Sequence, residues 1–237
     1  MESTVLYQGK AKNVHSTDVK GELRLEYLDQ ATALNGKKKD QVIGKGSLNN
    51  QITSLIFSFL TEKGIKNHWV KELSAHEQLV KSVEIIPLEV VLRNIATGSF
   101  TKRLGVEEGT VLPFPIIEFY YKEDELDDPF INEDHIQFLE IATVEEVQFL
   151  KEQTLMINQA LKELYETMNI TLVDFKLEFG KDEEGNIILA DEVTPDTCRL
   201  WDKVTGNSLD KDIYRKDLGE IVPVYEEILN RLKERGE

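Results

Sequence analysis

Residues 172–202 read LVDFKLEFGKDEEGNIILADEVTPDTCRLWD, and their periodicity decides the fold. Apolar and charged residues alternate from Val173 to Phe179, the period of a strand rather than of a helix. Val173, Phe175, Leu177 and Phe179 share one face, and Asp174, Lys176 and Glu178 share the other. Turn formers run from Asp182 to Asn186, and Ile187 to Glu192 read as the return strand of a hairpin. Pairing Asp182 with Ile187 leaves a four-residue turn, 183–186, and sets Glu178 directly opposite Asp191. Two carboxylates facing each other across paired strands repel, so this register calls for a divalent cation between them. The simpler reading is an amphipathic hairpin with a hydrated charged face. Asp174, Lys176 and Arg199 gathered nearby tip the balance toward a site.

Outward from the hairpin, the segments before it are mostly strands. Residues 5–15 form a short hairpin turning through Gly9, and 21–28 an alternating strand with Leu23, Leu25 and Tyr27 on one face. Asn35-Gly36 marks a turn. Gly44 and Gly46 flank Lys45 and precede a helix carrying Leu48, Ile52, Leu55, Ile56, Phe59 and Leu60 at helical spacing, closed by Gly64. Residues 68–73 read as a strand. Residues 83–94 (VEIIPLEVVLRN) are the most β-like run, broken at Pro87 and read as the joint between two lobes. After it come a loop entering a short helix (96–104), an irregular piece (111–115), a strand (116–122) and an acidic loop (124–133). Thr143 and Glu146 make a capping-box pattern for a long helix to about Met168, and Asp217 and Glu220 repeat it for a final helix ending near Arg235. Strands come first and helices then surround a second sheet, an α+β pattern without regular βαβ alternation. The chain contains no low-complexity linker, so the expected lobes, 1–86 and 87–237, are packed rather than tethered.

Composition narrows the function. The 237 residues are 41% hydrophobic and 30% charged, ordinary for a globular protein with a substantial core. Formal net charge is −16, which argues against nucleic-acid binding and makes local basic clusters informative. No apolar run is long enough to span a membrane, and MESTVLYQGKAK lacks the apolar core of a signal peptide, so a cytoplasmic location is expected. The single cysteine, Cys198, rules out an internal disulfide, and the four histidines are scattered without zinc spacing.

Three constellations carry chemistry. Gly9-Lys10-Ala11-Lys12 on a tight turn lets backbone and two lysines approach a phosphate, although neither a Walker loop nor the kinase glycine triplet is present. Arg93 with Ser99 and Arg103 surrounds Gly98-Ser99 at a helix start, with planar donors suited to phosphate or carboxylate. The hairpin adds Glu178 and Asp191, oxygen ligands of the kind magnesium takes together with substrate phosphates. Asp196 either serves the same patch or forms a turn after Pro195. Together these residues describe a magnesium nucleotide beside a second anionic ligand, the logic of phosphoryl transfer.

LYQGKAK from Leu6, Gly44-Lys45-Gly46, EVVLRNIATGSFTKRLG from Glu89, VDFKLEFG from Val173 and DEVTPDTCRLWD from Asp191 occur in an order that resembles the SAICAR synthetase family over nearly the whole chain. The resemblance implies a two-lobed α+β fold: a small antiparallel-sheet N-terminal lobe, a larger α+β C-terminal lobe and a kinase-like nucleotide cleft between them. It implies a ligase of purine biosynthesis that uses ATP and Mg²⁺ to join L-aspartate to the carboxylate of the ribotide CAIR, through an acyl phosphate. It implies that Lys10, Ala11 and Lys12 hold phosphates and that residues 85–88, with Ile85 and Leu88 at their ends, meet adenine through backbone groups. Glu178 and Asp191 then hold the metal. Arg93, Ser99 and Arg199 hold the ribotide phosphate, Asp174 and Lys176 lie beside the imidazole and its carboxylate, and Lys122 approaches the transferring phosphate. A homodimer is the family's expected assembly. The main rival is a kinase phosphorylating a hydroxyl of a small polyanion, which lacks the pairing of RNIATGSF with PDTCRLWD.

Overall fold

The computed structural model describes residues 4–33 and 38–235. The turn expected at Asn35-Gly36, and Lys37, lie outside the described residues. Helices and antiparallel sheets are mixed, as the sequence pattern requires. The largest sheet is organised around β11 (Ile170–Lys181), twelve residues long. β8 (Glu84–Ile95) pairs with it along one side, while β12 (Ile187–Ala190) and β13 (Cys198–Asp202) share the other. β9 (Val111–Tyr121) and the two-residue β10 (Phe130–Ile131) extend the sheet beyond β8. A five-stranded antiparallel sheet precedes it in the chain, in the order β1 (Val5–Gln8), β2 (Lys12–Ser16), β3 (Glu22–Tyr27), β7 (Glu77–Lys81), β6 (Trp69–Ser74). β4 (Gln30–Ala33) and β5 (Lys38–Gln41) form a separate ribbon.

Helices bury the backs of these sheets. α1 (Lys45–Glu62) packs on α6 (Ile221–Glu234) on one side and on β3, β6 and β7 on the other. It ends in a Schellman arrangement: Gly64 N–H donates to Thr61 O at 2.9 Å and Ile65 N–H to Leu60 O at 2.9 Å. Gly46 is required at its start, because a Cβ there would lie 2.6 Å from the Tyr27 carbonyl oxygen. α4 (Val144–Glu166) covers β8 and β11, and its capping box is formed as expected: Glu146 N–H donates to Thr143 Oγ1, and Thr143 N–H to Glu146. Val147, Leu150, Ile157, Leu161 and Leu164 join Leu177, Phe179 and Leu92 in one large core, to which α1 also contributes Ile52 and Ile56. Among the described residues the five-stranded sheet has a small cluster of its own, Leu25, Tyr27 and Val80, with Val14 and Leu23 packed against it.

Four expectations are corrected. The central hairpin pairs Lys181 with Ile187, which sets Glu178 opposite Ala190 rather than Asp191. The cause is local: Asp182 Oδ1 accepts the Glu184 and Asn186 N–H groups, and Gly185 takes φ 82°, so the loop closes as a turn with a glycine in the left-handed region. Secondly, Pro87 does not break its strand. β8 runs through it because the register of the β8–β11 ladder shifts between Glu89↔Glu178 and Ile85↔Gly180, where the missing N–H removes no ladder bond. Thirdly, residues 111–115 are strand rather than irregular. Pro113 and Pro115 sit where β9 bulges against β8, between Val111↔Ile95 and Ile116↔Arg93, with exposed side chains. Finally, Asp217 does not cap the last helix. It takes φ 52° and closes the short helix α5 (Asp212–Arg215), with Leu218 N–H donating to Ile213 O at 2.8 Å. α6 begins after Glu220 without a side-chain cap.

Candidate active site

The polar face of β11 opens into a cleft of about 1030 Å³ between the large sheet and the five-stranded sheet. Alternation puts Asp174, Lys176 and Glu178 on its floor while Phe175, Leu177 and Phe179 enter the core. β8 adds Arg93 and Glu89, β2 adds Lys12, and the segment after β12 adds Asp191 and Glu192. Lys10, Ala11, Ile85, Lys122 and Arg199 also line the cleft. Ser99 does not line it, but its hydroxyl accepts from Arg93 Nη2 at 3.2 Å. Leu88 is placed differently from the other expected nucleotide contacts: its side chain is 1% exposed, in the core, and it pairs with Tyr121.

Lysines and carboxylates alternate at the centre. Lys176 Nζ donates to Glu178 Oε1 at 2.6 Å and Glu89 Oε1 at 3.1 Å, and lies 3.6 Å from Asp191 Oδ2. Lys122 Nζ reaches the same Glu178 oxygen at 3.2 Å. Lys12 Nζ donates to Asp191 Oδ1 and, at 2.9 Å, to Glu192 Oε1. Glu178 and Asp191 are thus brought together across the strands, although not as a directly opposed pair, and ammonium groups lie where the register argument called for positive charge. Asp191 directly follows β12 and takes φ 57°, in the left-handed region. Its carbonyl lies 3.2 Å from His68 Nε2. Burial, reinforced by Lys12, pushes the His68 pKa down to about 4, so the ring is neutral near pH 7. Burial opposes charge on Lys12 and Lys176, but Asp191 with Glu192, and Glu178 with Asp191, outweigh it and hold both ammonium groups well above their usual range. Burial would raise the Asp191 pKa, yet Lys12 and Lys176 drive it far below the ordinary carboxylate range.

Arginines govern one end of the cleft. Arg93 Nε donates to Glu118 Oε2 and Nη1 to Asp174 Oδ2, each at 2.7 Å, and the residue is almost wholly buried. Arg199 Nη1 donates to the same Asp174 oxygen at 2.8 Å, and its Nε to Asp212 Oδ2 at 3.2 Å. Gly98 makes room for this guanidinium: it takes φ 59°, and a Cβ would lie 2.8 Å from Arg199 Nη2. Asp196 also lines the cleft and is at the same time a structural anchor. It accepts the buried Lys45 Nζ at 2.6 Å and the buried Tyr225 hydroxyl at 2.5 Å, and ties the segment after β12 to α1 and α6.

Glu89, Glu118 and Glu192 are site residues that pattern reading did not single out. Glu192 had a signal, since it follows Asp191 directly; Glu89 and Glu118 sit in alternating strands and had none. Among the described residues no three His, Cys, Asp or Glu side chains converge closely enough to hold a metal ion alone. No helix among them is long and apolar enough to cross a membrane.

This arrangement can take two anionic ligands side by side, one at the lysines and one at the arginines, with carboxylates between. Residues 5–232 match the family model described as SAICAR synthetase. A phosphoribosylaminoimidazole-succinocarboxamide synthase of Enterococcus faecalis is 62% identical over 231 residues, 98% of each chain. The crystal structure of the Ehrlichia chaffeensis enzyme of that name superposes with a TM-score of 0.95 at 47% identity, covering 97% of this chain and 98% of that one. A SAICAR synthetase solved in complex with ADP superposes at 0.93 with 46% identity, covering 98% and 97%. The chain belongs to the SAICAR synthetase family, ligases of purine biosynthesis that share its mixed fold of helices and antiparallel sheets.

Proposed function

We propose that this chain joins L-aspartate to the carboxylate of CAIR at the expense of ATP, giving SAICAR, ADP and phosphate, through an acyl phosphate. The observation that carries this is the polar face of β11, where one strand runs from the arginine pocket at Asp174 to the carboxylate–lysine centre at Glu178. A ribotide phosphate at Arg93, Ser99 and Arg199 then leaves its base beside Asp174 and Lys176. A carboxylate resists attack by an amine because it is already an anion. Transfer of the γ-phosphoryl group to a carboxylate oxygen, with departure of ADP, removes that obstacle. The aspartate amine then forms the C–N bond as phosphate leaves and the amine gives up a proton. Lys176 neutralises the CAIR carboxylate as it approaches, and Lys122 and Lys12 meet the charge on the transferring phosphoryl group.

The nucleotide's phosphates are assigned to Lys10, the Ala11 backbone and Lys12, and its adenine to the backbone of Ile85 and Leu88. Glu178 and Asp191 fit Mg²⁺, because both are oxygen donors and one ammonium already lies 2.6 Å and 3.6 Å from them; phosphate oxygens would complete the set. When bound, the ion supplies charge neutralisation for phosphoryl transfer. On this reading the nucleotide lies between kinase-like lobes, 1–86 and 87–237, and the enzyme is a cytoplasmic homodimer.

The test is ADP release by the purified enzyme, with ATP, in the presence of CAIR, L-aspartate or both, using CAIR labelled with ¹⁸O in the carboxylate. Release that requires both acceptors, with one ¹⁸O carried into phosphate, is expected. Unlabelled phosphate would overturn the acyl phosphate, and ADP release without aspartate that leaves a stable phosphorylated acceptor would favour a kinase.

A further inference from the structure

The arginine end of the cleft contains a group of side chains that these roles leave out. α2 (Gly98–Leu104) carries Arg103 one turn beyond Ser99. Arg103 Nη1 donates to the Tyr120 hydroxyl at 2.7 Å and to Ser99 Oγ at 3.2 Å. Arg93 Nη2 reaches the same two oxygens, at 3.4 Å and 3.2 Å, and these lie 3.2 Å from each other. Four donor-bearing groups therefore converge, two of them cationic. A surface arginine on a short helix ordinarily samples many rotamers, but Arg103 is held. Its guanidinium lies 4.6 Å from the Phe130 ring centre and 5.8 Å from that of Tyr120, and those rings meet edge to face at 5.7 Å. Glu118, buried on β9, lies on the other side of both arginines. It takes Arg93 Nε at 2.7 Å, Arg103 Nη2, and the Tyr120 hydroxyl at 3.2 Å. A carboxylate so close to an anion site would repel the ligand. Here it is occupied by the inward N–H groups of both guanidiniums and leaves Arg93 Nη2 and Arg103 Nη1 facing the hydroxyls.

We propose that Glu118 is a positioning residue that clamps Arg93 and Arg103 into one four-donor seat, completed by Ser99 and Tyr120, for the phosphate of the ribotide. This rests on the ribotide reading above and extends it to Arg103, Tyr120 and Glu118. Both hydroxyls rotate to donate once an acceptor oxygen arrives. Tetrahedral phosphate can meet donors from four directions, whereas a ribose hydroxyl cannot, so the seat makes the phosphate a requirement for productive binding.

The test is steady-state kinetics on the full-length enzyme with KM measured separately for CAIR, ATP and aspartate, with inorganic phosphate as a competitor of CAIR and with melting temperatures. Arg103→Met is expected to raise the CAIR KM about 10- to 100-fold, the loss of charge-assisted hydrogen bonds. The KM for ATP and for aspartate and kcat should stay within about twofold. Phosphate inhibition should weaken in parallel. Arg103→Lys keeps the charge without the fork and should fall between. Glu118→Gln should raise the CAIR KM at least as far as Arg103→Met, because it loosens both guanidiniums, and the double variant should fall short of the product of the two single effects, because they share Arg103. A folded Arg103→Met or Arg103→Lys enzyme with an unchanged CAIR KM, or with unchanged phosphate inhibition, overturns the proposal. So does a rise in all three KM values together, the mark of a merely structural tether. If the unaltered enzyme releases no ADP with CAIR and aspartate, the functional reading itself fails and the seat falls with it.

Discussion

The two ends of the cleft handle negative charge by opposite means. At the arginine end Arg93 and Asp174 are side-chain buried to within 4% and 5% of full exclusion, and every guanidinium N–H named above has a fixed partner. At the lysine end Lys10 meets Asp124 at 2.7 Å with 51% and 68% of their side-chain surfaces exposed. Arg93 stands on β8 within the large sheet, whereas Lys10 and Lys12 belong to the hairpin of the smaller sheet and reach their partners across the cleft. A planar fork with pre-set geometry suits a ligand held throughout a reaction. A point charge on a flexible stem suits one that must exchange a carboxylate for a phosphate and back. On the function proposed above, the difference teaches that the ligand to be held meets a prebuilt socket, and the ligand to be consumed meets groups with alternative partners.

Breaking the socket should cost stability as well as function. Arg93→Met strands Glu118 and Asp174 without their shared cation, and removing one partner of a buried ionic network costs on the order of 3–5 kcal/mol. Urea denaturation should register it; a loss below about 1 kcal/mol would mean that Arg199 and Arg103 suffice and that the socket is not a unit. Next in size is the carboxylate centre between the two ends. Asp191→Asn should lower kcat about 100-fold or more, some 3 kcal/mol, while Lys12 keeps Glu192 as a partner. A chelator should abolish ADP release from the unaltered enzyme and excess Mg²⁺ should restore it; full turnover of the variant at limiting Mg²⁺ would remove Asp191 from the metal site.

Acid should separate the ends further. Against burial, Arg199 and Arg215 pull the Asp212 carboxyl down to about 2. A folded pKa below the unfolded value near 3.9 contributes stability that is complete above about pH 4 and is lost as pH falls toward 2. By pH 3 this group alone should cost about 1 kcal/mol. Asp212→Asn should therefore lose less stability between pH 7 and pH 3 than the unaltered enzyme, measured as urea midpoints. An equal loss would mean that the Arg199–Asp212 pair does not contribute.

How much of this could be read from sequence follows from the range of each interaction. The alternation of β11, the capping box at Thr143 and the glycine stop at Gly64 are consequences of neighbours a few residues apart, and the structure reproduces them. The hairpin register went wrong by one residue because Asp182 folds its side chain over the loop, a local bond that counting residues does not weigh. Pro113 and Pro115 looked like breakers because the bulge that tolerates them is made by another strand, β8. In the site, Glu178, Lys176 and Asp174 were legible as one face of one strand. Glu118 beneath two arginines, and Lys45 beneath Asp196, were not, since their partners lie 25 and 151 positions away. Glu178 and Asp191 were paired for the wrong geometric reason: the register that set them face to face does not exist, and the two carboxylates meet instead around the Lys176 ammonium.

The smallest expected effect probes the exchangeable end most directly. Lys10 and Asp124 form an exposed pair, and such pairs contribute between nothing and about 1 kcal/mol because water and salt already screen both charges. Lys10→Ala should therefore leave the urea midpoint within about 0.5 kcal/mol of the unaltered enzyme. If the lysine's work is done on the nucleotide, the same substitution should raise the ATP KM about fivefold, with the CAIR KM unmoved. Asp124→Asn supplies the opposite sign: it releases Lys10 from its competitor, so the ATP KM should fall slightly or stay level. A rise in the ATP KM of Asp124→Asn as large as that of Lys10→Ala would mean that the pair works as a fixed clasp. The lysine end would then be prebuilt in the same sense as the arginine socket, and the contrast between the two ends would dissolve.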